Sequence, residues 1–225
     1  MVLPYKNRSE AGRELGDALQ PYADRRDVLV LALPRGGVPV AYQVAKSLNA
    51  PMDLMLVRKL GLPNQEELAM GAIAMGGIRV LNSEVIQGWC VTEAQIERVT
   101  ALELQELRRR ERLYRNDQPI PEVQGRCVIL IDDGLATGAT MQAAIAALRQ
   151  QKPSEIVVAI PVAPPGTVSL LRQQADAVIC PAMPEPFFAV GLWYDDFAQV
   201  TDAEVREQLE AIWQDSPEQE RMSTV

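Results

Sequence analysis

Five short apolar runs, at residues 28–33, 52–57, 127–131, 156–162 and 177–180, constrain the fold of this chain more than any other feature. Each is about the length of one strand, is rich in Val, Ile and Leu, and lacks the alternation of a strand with one wet face. Such runs read as strands buried on both faces. Between them the apolar positions fall at helical spacing: Val40, Val44, Ala45 and Leu48 after the first run, and Met141, Ala144, Ile145 and Leu148 after the third. Buried strands alternating with amphipathic helices pack as a mainly parallel sheet covered on both sides. The expectation is a three-layer α/β fold.

Other segments break this rhythm. Ala11, Leu15, Ala18 and Leu19 mark one face of a short helix ending near Pro21. Residues 68–75 and 78–81 flank Gly76-Gly77, a dipeptide suited to a tight hairpin. Thr92 and Gln95 form a capping box that opens a long helix, with Ile96, Val99, Leu102, Leu107 and Leu113 as its packing positions. The run Arg108-Arg109-Arg110-Glu111-Arg112 follows Glu103 and Glu106 and reads as the solvated face of that helix. Thr201 and Glu204 make a second capping box before a helix reaching about Trp213, and 214–225 is a polar tail. The economical division is one domain over 1–213, carrying a hairpin insertion at 60–81 and a helical insertion at 82–115.

The chain contains no histidine. Ser-His-Asp and Cys-His nucleophiles, imidazole-bound zinc and proton transfer by an imidazole are therefore outside its own repertoire. With 22 Lys+Arg against 30 Asp+Glu the net charge is −8, which argues against nucleic-acid and anionic-membrane surfaces but leaves room for a local anion site. Cys90, Cys127 and Cys180 are far apart and form no C-x-x-C pair, so buried reduced thiols are expected rather than disulfides or zinc. No run nears the roughly 18 apolar residues of a spanning helix, and the start MVLPYKNRSEAG lacks a signal-type apolar core, so the expected location is the cytoplasm.

Residues 128–140, VILIDDGLATGAT, carry the chemistry. A buried strand ends in Asp132 and Asp133, and a loop of small residues and threonines then leads into a helix. Glycines let successive backbone N–H groups turn toward an anion, threonines add hydroxyls, and the helix presents its positive end. The pattern is neither a Walker loop nor a dinucleotide turn. Two carboxylates before a phosphate cradle fit a sugar phosphate, the acids accepting hydrogen bonds from vicinal hydroxyls or orienting Mg2+-bound water.

This combination resembles the type I phosphoribosyltransferase family. The resemblance implies transfer of a 5-phosphoribosyl group from 5-phosphoribosyl 1-pyrophosphate (PRPP) to a nitrogenous acceptor, with Mg2+ as cofactor and a homo-oligomer as the usual assembly. It implies that Gly134, Ala136, Thr137, Gly138, Ala139 and Thr140 cradle the 5-phosphate while Asp132 and Asp133 hold the ribose hydroxyls. At the end of the first strand, Arg35, Gly36 and Gly37 match the family's pyrophosphate loop, which often contains a non-proline cis peptide. Arg58 and Lys59, placed at the end of the second strand, match basic residues that meet the pyrophosphate, and 60–75 would close as a lid. In the 6-oxopurine branch an aromatic residue stacks on the base and an aspartate contacts the metal; those roles fall on Phe188 and Asp195. The same branch carries a Lys where this chain has Val162-Ala163-Pro164-Pro165. A different class of function, a non-catalytic sensor of PRPP or a nucleotide, is the alternative.

Overall fold

The computed structural model describes residues 3–115 and 118–214, with the backbone alone at 66–67. The tail expected at 214–225 lies, past Gln214, outside the described residues. In chain order come α1 (Arg8–Ala18), β1 (Val28–Ala32), α2 (Gly37–Leu48), β2 (Met52–Leu54), β3 (Val57–Leu62), β4 (Gln65–Ala74) and β5 (Ile78–Leu81). There follow α3 (Ser83–Gly88), α4 (Glu93–Arg115), β6 (Cys127–Ile131), α5 (Ala139–Gln150), β7 (Glu155–Ala159), α6 (Pro165–Leu171), β8 (Ala177–Ile179) and α7 (Asp202–Gln214).

Among the described residues, five strands form a parallel sheet in the order β2-β1-β6-β7-β8. Successive side chains on a strand point to opposite faces. Val28, Val30, Ala32, Ile129 and Ile131 accordingly join one core with Leu15, Val44, Leu48 and Leu209 from α1, α2 and α7. Leu29, Leu31, Val128 and Leu130 join a second core with Met141, Ile145 and Val168 from α5 and α6. Both faces are dry, which is why the sequence runs show no alternation. The fold is a mixed α/β structure with helices on both sides of a parallel sheet.

The second apolar run is not one strand. β2 stops at Leu54, and Val57 opens a separate antiparallel sheet, β3-β4-β5. The Met55 N–H still donates to Ala32 O, but Leu56 O already accepts from Met75, so the chain changes sheets in mid-run. Apolar character continues through the change because both sheets bury it. Arg58 and Lys59 thus stand at the start of β3, not at the end of the second strand. The hairpin at Gly76-Gly77 is present, with φ of 74° and 73°. Much of the expected lid segment is β3 and β4, and its Leu60, Leu62, Met70 and Ile73 are buried in the first core.

Two expected packing positions turn outward. Leu102 is 60 % exposed because it lies off the buried stripe Ile96, Thr100, Leu107 and Tyr114. Ala18 is exposed because α1 buries Ala11, Gly12, Leu15 and Gly16; a Cβ on Gly12 would stand 2.7 Å from the Val40 carbonyl of α2. Cys90 is likewise exposed, whereas Cys127 is buried. Both capping boxes form, at Thr92–Gln95 and Thr201–Glu204. Among the described residues no helix is long and apolar enough to cross a membrane.

Candidate functional site

The strand order reverses between β1 and β6, since β1 leads outward to β2 and β6 leads the other way to β7 and β8. Loops leaving the carboxyl ends of strands at such a point diverge and open a crevice. Ala32 pairs with Ile131, so the loops after them, 33–37 and 132–138, run side by side. These are the two segments singled out by their sequence. They touch closely: a Cβ on Gly36 would lie 2.0 Å from Asp133 Oδ2, and one on Gly37 would lie 2.8 Å from Ile131 O. The Pro34–Arg35 peptide between them and β1 is cis.

Past Asp133 the loop is fixed from outside. The Leu135 N–H donates to Val162 O at 3.0 Å, and the Thr167 hydroxyl donates to Ala136 O at 2.6 Å. Gly138, at φ 72°, then turns the chain into α5. Ala136, Thr137, Ala139 and Thr140 are exposed there. The first-turn amides of a helix lack intrahelical partners, and this end carries the positive pole of the dipole. The arrangement can hold an anion, with Thr137 and Thr140 hydroxyls beside it.

A cleft of about 360 Å3 opens above the paired loops, lined by Arg8, Arg35, Gly36 and Asp133 and walled by Val190, Phe197 and Val200. Burial pushes the Asp133 carboxyl up from its ordinary range, and the Arg8 guanidinium pulls against that shift. Burial, followed by the charge of Asp133, holds Asp132 well above its ordinary range. Arg8 Nε donates to Asp133 Oδ2 at 2.7 Å. Arg8 also donates to Ala198 O at 2.8 Å, and its guanidinium carbon lies 3.9 Å from the Phe197 ring centroid. The Tyr194 hydroxyl donates to the Asp133 carbonyl, and Tyr194 itself packs on Tyr5. On the other wall, Arg35 Nη1 stands 3.7 Å from Asp202 at the start of α7.

Arg8 was not marked by any sequence motif. It lies 125 residues from Asp133, and no local spacing links them. One signal was there: Arg8 is the first residue of α1, where the helix dipole disfavours a cation. A charge held against local preference points to a partner elsewhere in the fold.

The remaining expected site residues lie apart from the cleft lining. Arg58 Nε donates to Glu103 Oε2 of α4 at 2.6 Å, and Lys59 sits beside it on β3, opposite Ala72. Phe188, expected under a base, is 79 % exposed, and the aromatic ring lining the cleft is Phe197. Asp195 is exposed and tied through its N–H to Tyr5 O. Among the described residues no group of three or more His, Cys, Asp or Glu could hold a metal ion. This donor set fits Mg2+ carried on substrate phosphates and touched by one or two carboxylates, a mode that ion favours. It does not fit a metal site built from protein ligands alone.

The sequence matches the phosphoribosyl transferase domain family over residues 9–196. A Mycobacterium tuberculosis protein provisionally named a phosphoribosyl transferase is 44 % identical over 201 residues, covering 89 % of this chain and 45 % of that protein. The chain thus spans about half the length of the curated relatives it matches. A Thermus thermophilus protein of known crystal structure superposes with a TM-score of 0.85 at 40 % identity, covering 92 % of this chain and 98 % of that one. An Aquifex aeolicus protein shares the fold at a TM-score of 0.50 and 13 % identity, covering 91 % of this chain and 85 % of that one.

Proposed function

Because the chain belongs to the phosphoribosyl transferase family, we propose that it transfers the 5-phosphoribosyl group of PRPP to a nitrogen nucleophile and releases pyrophosphate. The observation that carries this reading is the contact of Asp133 with Gly36, which joins a diacid loop to a glycine loop at the reversal point of the sheet. Thr137, Gly138, Ala139 and Thr140 hold the 5-phosphate at the start of α5. Asp132 and Asp133 accept hydrogen bonds from the ribose hydroxyls. Arg35, with the amides of Gly36 and Gly37, receives the pyrophosphate. The acceptor nitrogen forms its bond to the anomeric carbon as the carbon–oxygen bond to pyrophosphate breaks with its electron pair, and the acceptor's proton leaves to solvent or to the leaving group. Asp195 would be the residue to contact a Mg2+ ion brought in on the pyrophosphate, and such an ion would supply charge neutralisation for that departure. Fixed charges and amides assist the same departure, so no imidazole is required.

Arg58 would meet the pyrophosphate through its η nitrogens or by exchanging the Glu103 partner of its Nε. Calorimetry with PRPP and Mg2+, followed by a pyrophosphate-release assay over a panel of nitrogenous bases, tests the proposal. Asp133→Asn is expected to lower turnover by about 10²-fold with the fold intact. Binding with no release across the panel supports a sensor of PRPP in place of an enzyme, and an unchanged rate in Asp133→Asn refutes the assignment of the acid.

A further inference from the structure

We infer that Arg8 is a positioning residue that couples Asp133 to segment 187–200, so that the acid of the diacid loop and the far wall of the cleft hold one geometry. The inference rests on the reading of Asp133 as a ribose-binding acid. One guanidinium makes three contacts with two parts of the fold. Its Nε holds Asp133 Oδ2 at 2.7 Å, its Nη1 holds Ala198 O at 2.8 Å, and its face covers Phe197 at 3.9 Å. The pair with Asp133 is nearly dry, the two side chains being 11 % and 12 % exposed. Asp133 Oδ2 is thereby fixed against Gly36 on one side and Arg8 on the other. A planar fork can donate in two directions while stacking; a lysine ammonium offers charge without that fork. Local preference does not explain an arginine here, because a cation opposes the dipole at the first turn of α1.

A pin of purely structural kind would act on stability alone, and a positioning role predicts more. The experiment measures pyrophosphate release with saturating acceptor in wild type, Arg8→Gln, Arg8→Lys, Asp133→Asn and the double variant Arg8→Gln/Asp133→Asn. It also measures hydrogen exchange of residues 187–200 in the unligated chain. Arg8→Gln is expected to lower kcat by about 10²-fold, the scale of a misplaced reacting geometry, with KM for PRPP moving less. Arg8→Lys, which keeps the charge, is expected to recover part of that loss while leaving exchange in 187–200 raised. In the Asp133→Asn background, Arg8→Gln is expected to cost under about threefold, because a residue that acts through another loses its effect with it. A full additional loss in the double variant overturns the inference, as does exchange in 187–200 that matches wild type in Arg8→Gln. If the wild-type chain neither binds PRPP nor releases pyrophosphate, the enzyme reading falls and the kinetic role with it; the exchange measurement then decides separately whether Arg8 couples the two segments.

Discussion

Gly36→Ala isolates the contact on which the proposed site depends. Gly36 has φ −59° and ψ −35°, helical values that alanine adopts freely, so the substitution carries no backbone penalty. The whole cost comes from space. The new Cβ would lie 2.0 Å from Asp133 Oδ2 and 2.6 Å from Cγ, and ordinary contact begins at 3.4 Å, so the carboxylate has to retreat by about 1.4 Å. The atom displaced is the one that Arg8 Nε holds at 2.7 Å, and Arg8 is itself anchored at Ala198 and Phe197. The carboxylate therefore swings out of line with the Arg8 fork or pushes Arg8 off both anchors. A hydrogen bond to a charged group contributes about 1.5–3 kcal/mol, and a misplacement near 1 Å costs about 10²-fold in rate. The expected result is a loss of about 1–3 kcal/mol in urea unfolding together with a fall of about 10²-fold in kcat/KM for PRPP. Gly166→Ala is the control: a Cβ there meets nothing within 4 Å, and in α6 it should stabilise by up to about 1 kcal/mol without touching the kinetics. PRPP kinetics within about threefold of wild type in Gly36→Ala would show that the acid's position against Gly36 does not govern the reaction, and the reasoning would fail.

Two further outcomes follow from buried charge. The Asp132 pKa is raised on folding, so the folded chain binds that proton more tightly than the unfolded one, and stability falls as pH rises from the ordinary value of 3.8 through the folded pKa. Asp132→Asn should therefore unfold at higher urea than wild type at pH 7, with the gain vanishing as pH falls below 3.8; equal midpoints at pH 7 contradict the assignment. Arg115 donates to Asp53 and to Pro119 O, tying the end of α4 to β2 in a dry setting. Arg115→Met should cost about 3–5 kcal/mol by leaving a buried carboxylate unpaired, and adding Asp53→Leu should return much of that stability in the same urea assay.

The parallel sheet was legible because burial on both faces leaves an unbroken apolar run, and the helices between runs kept their own period. The second run was misread for the same reason. Met55 and Leu56 are buried whichever sheet the chain is joining, so hydropathy carries no mark at the change from β2 to β3. The two glycine-bearing loops were also legible, because backbone amides and close approach are local properties. Asp133 and Gly36 could each be singled out from neighbours within a few residues, and strand pairing then brought them together.

Side-chain charges followed a different rule, because where an arginine ends depends on what the fold sets opposite it. Arg58 lies in a recognisable motif and pairs with Glu103; Arg8 lies in no motif and reaches Asp133. The three pairs also differ in kind. Arg35–Asp202 and Arg58–Glu103 are partly open to water, with arginine side chains 37 % and 32 % exposed. Such pairs contribute only about 0–1 kcal/mol, whereas charge-assisted bonds from an arginine fork to phosphate are stronger. A phosphate oxygen could therefore compete with Asp202 or Glu103 for its arginine. The nearly dry Arg8–Asp133 pair cannot exchange on those terms, since breaking it would leave a buried carboxylate unpaired. A chain of net charge −8 thus keeps Arg35 and Arg58 in partly open pairs, whereas Arg8 and Asp133 form a nearly dry one.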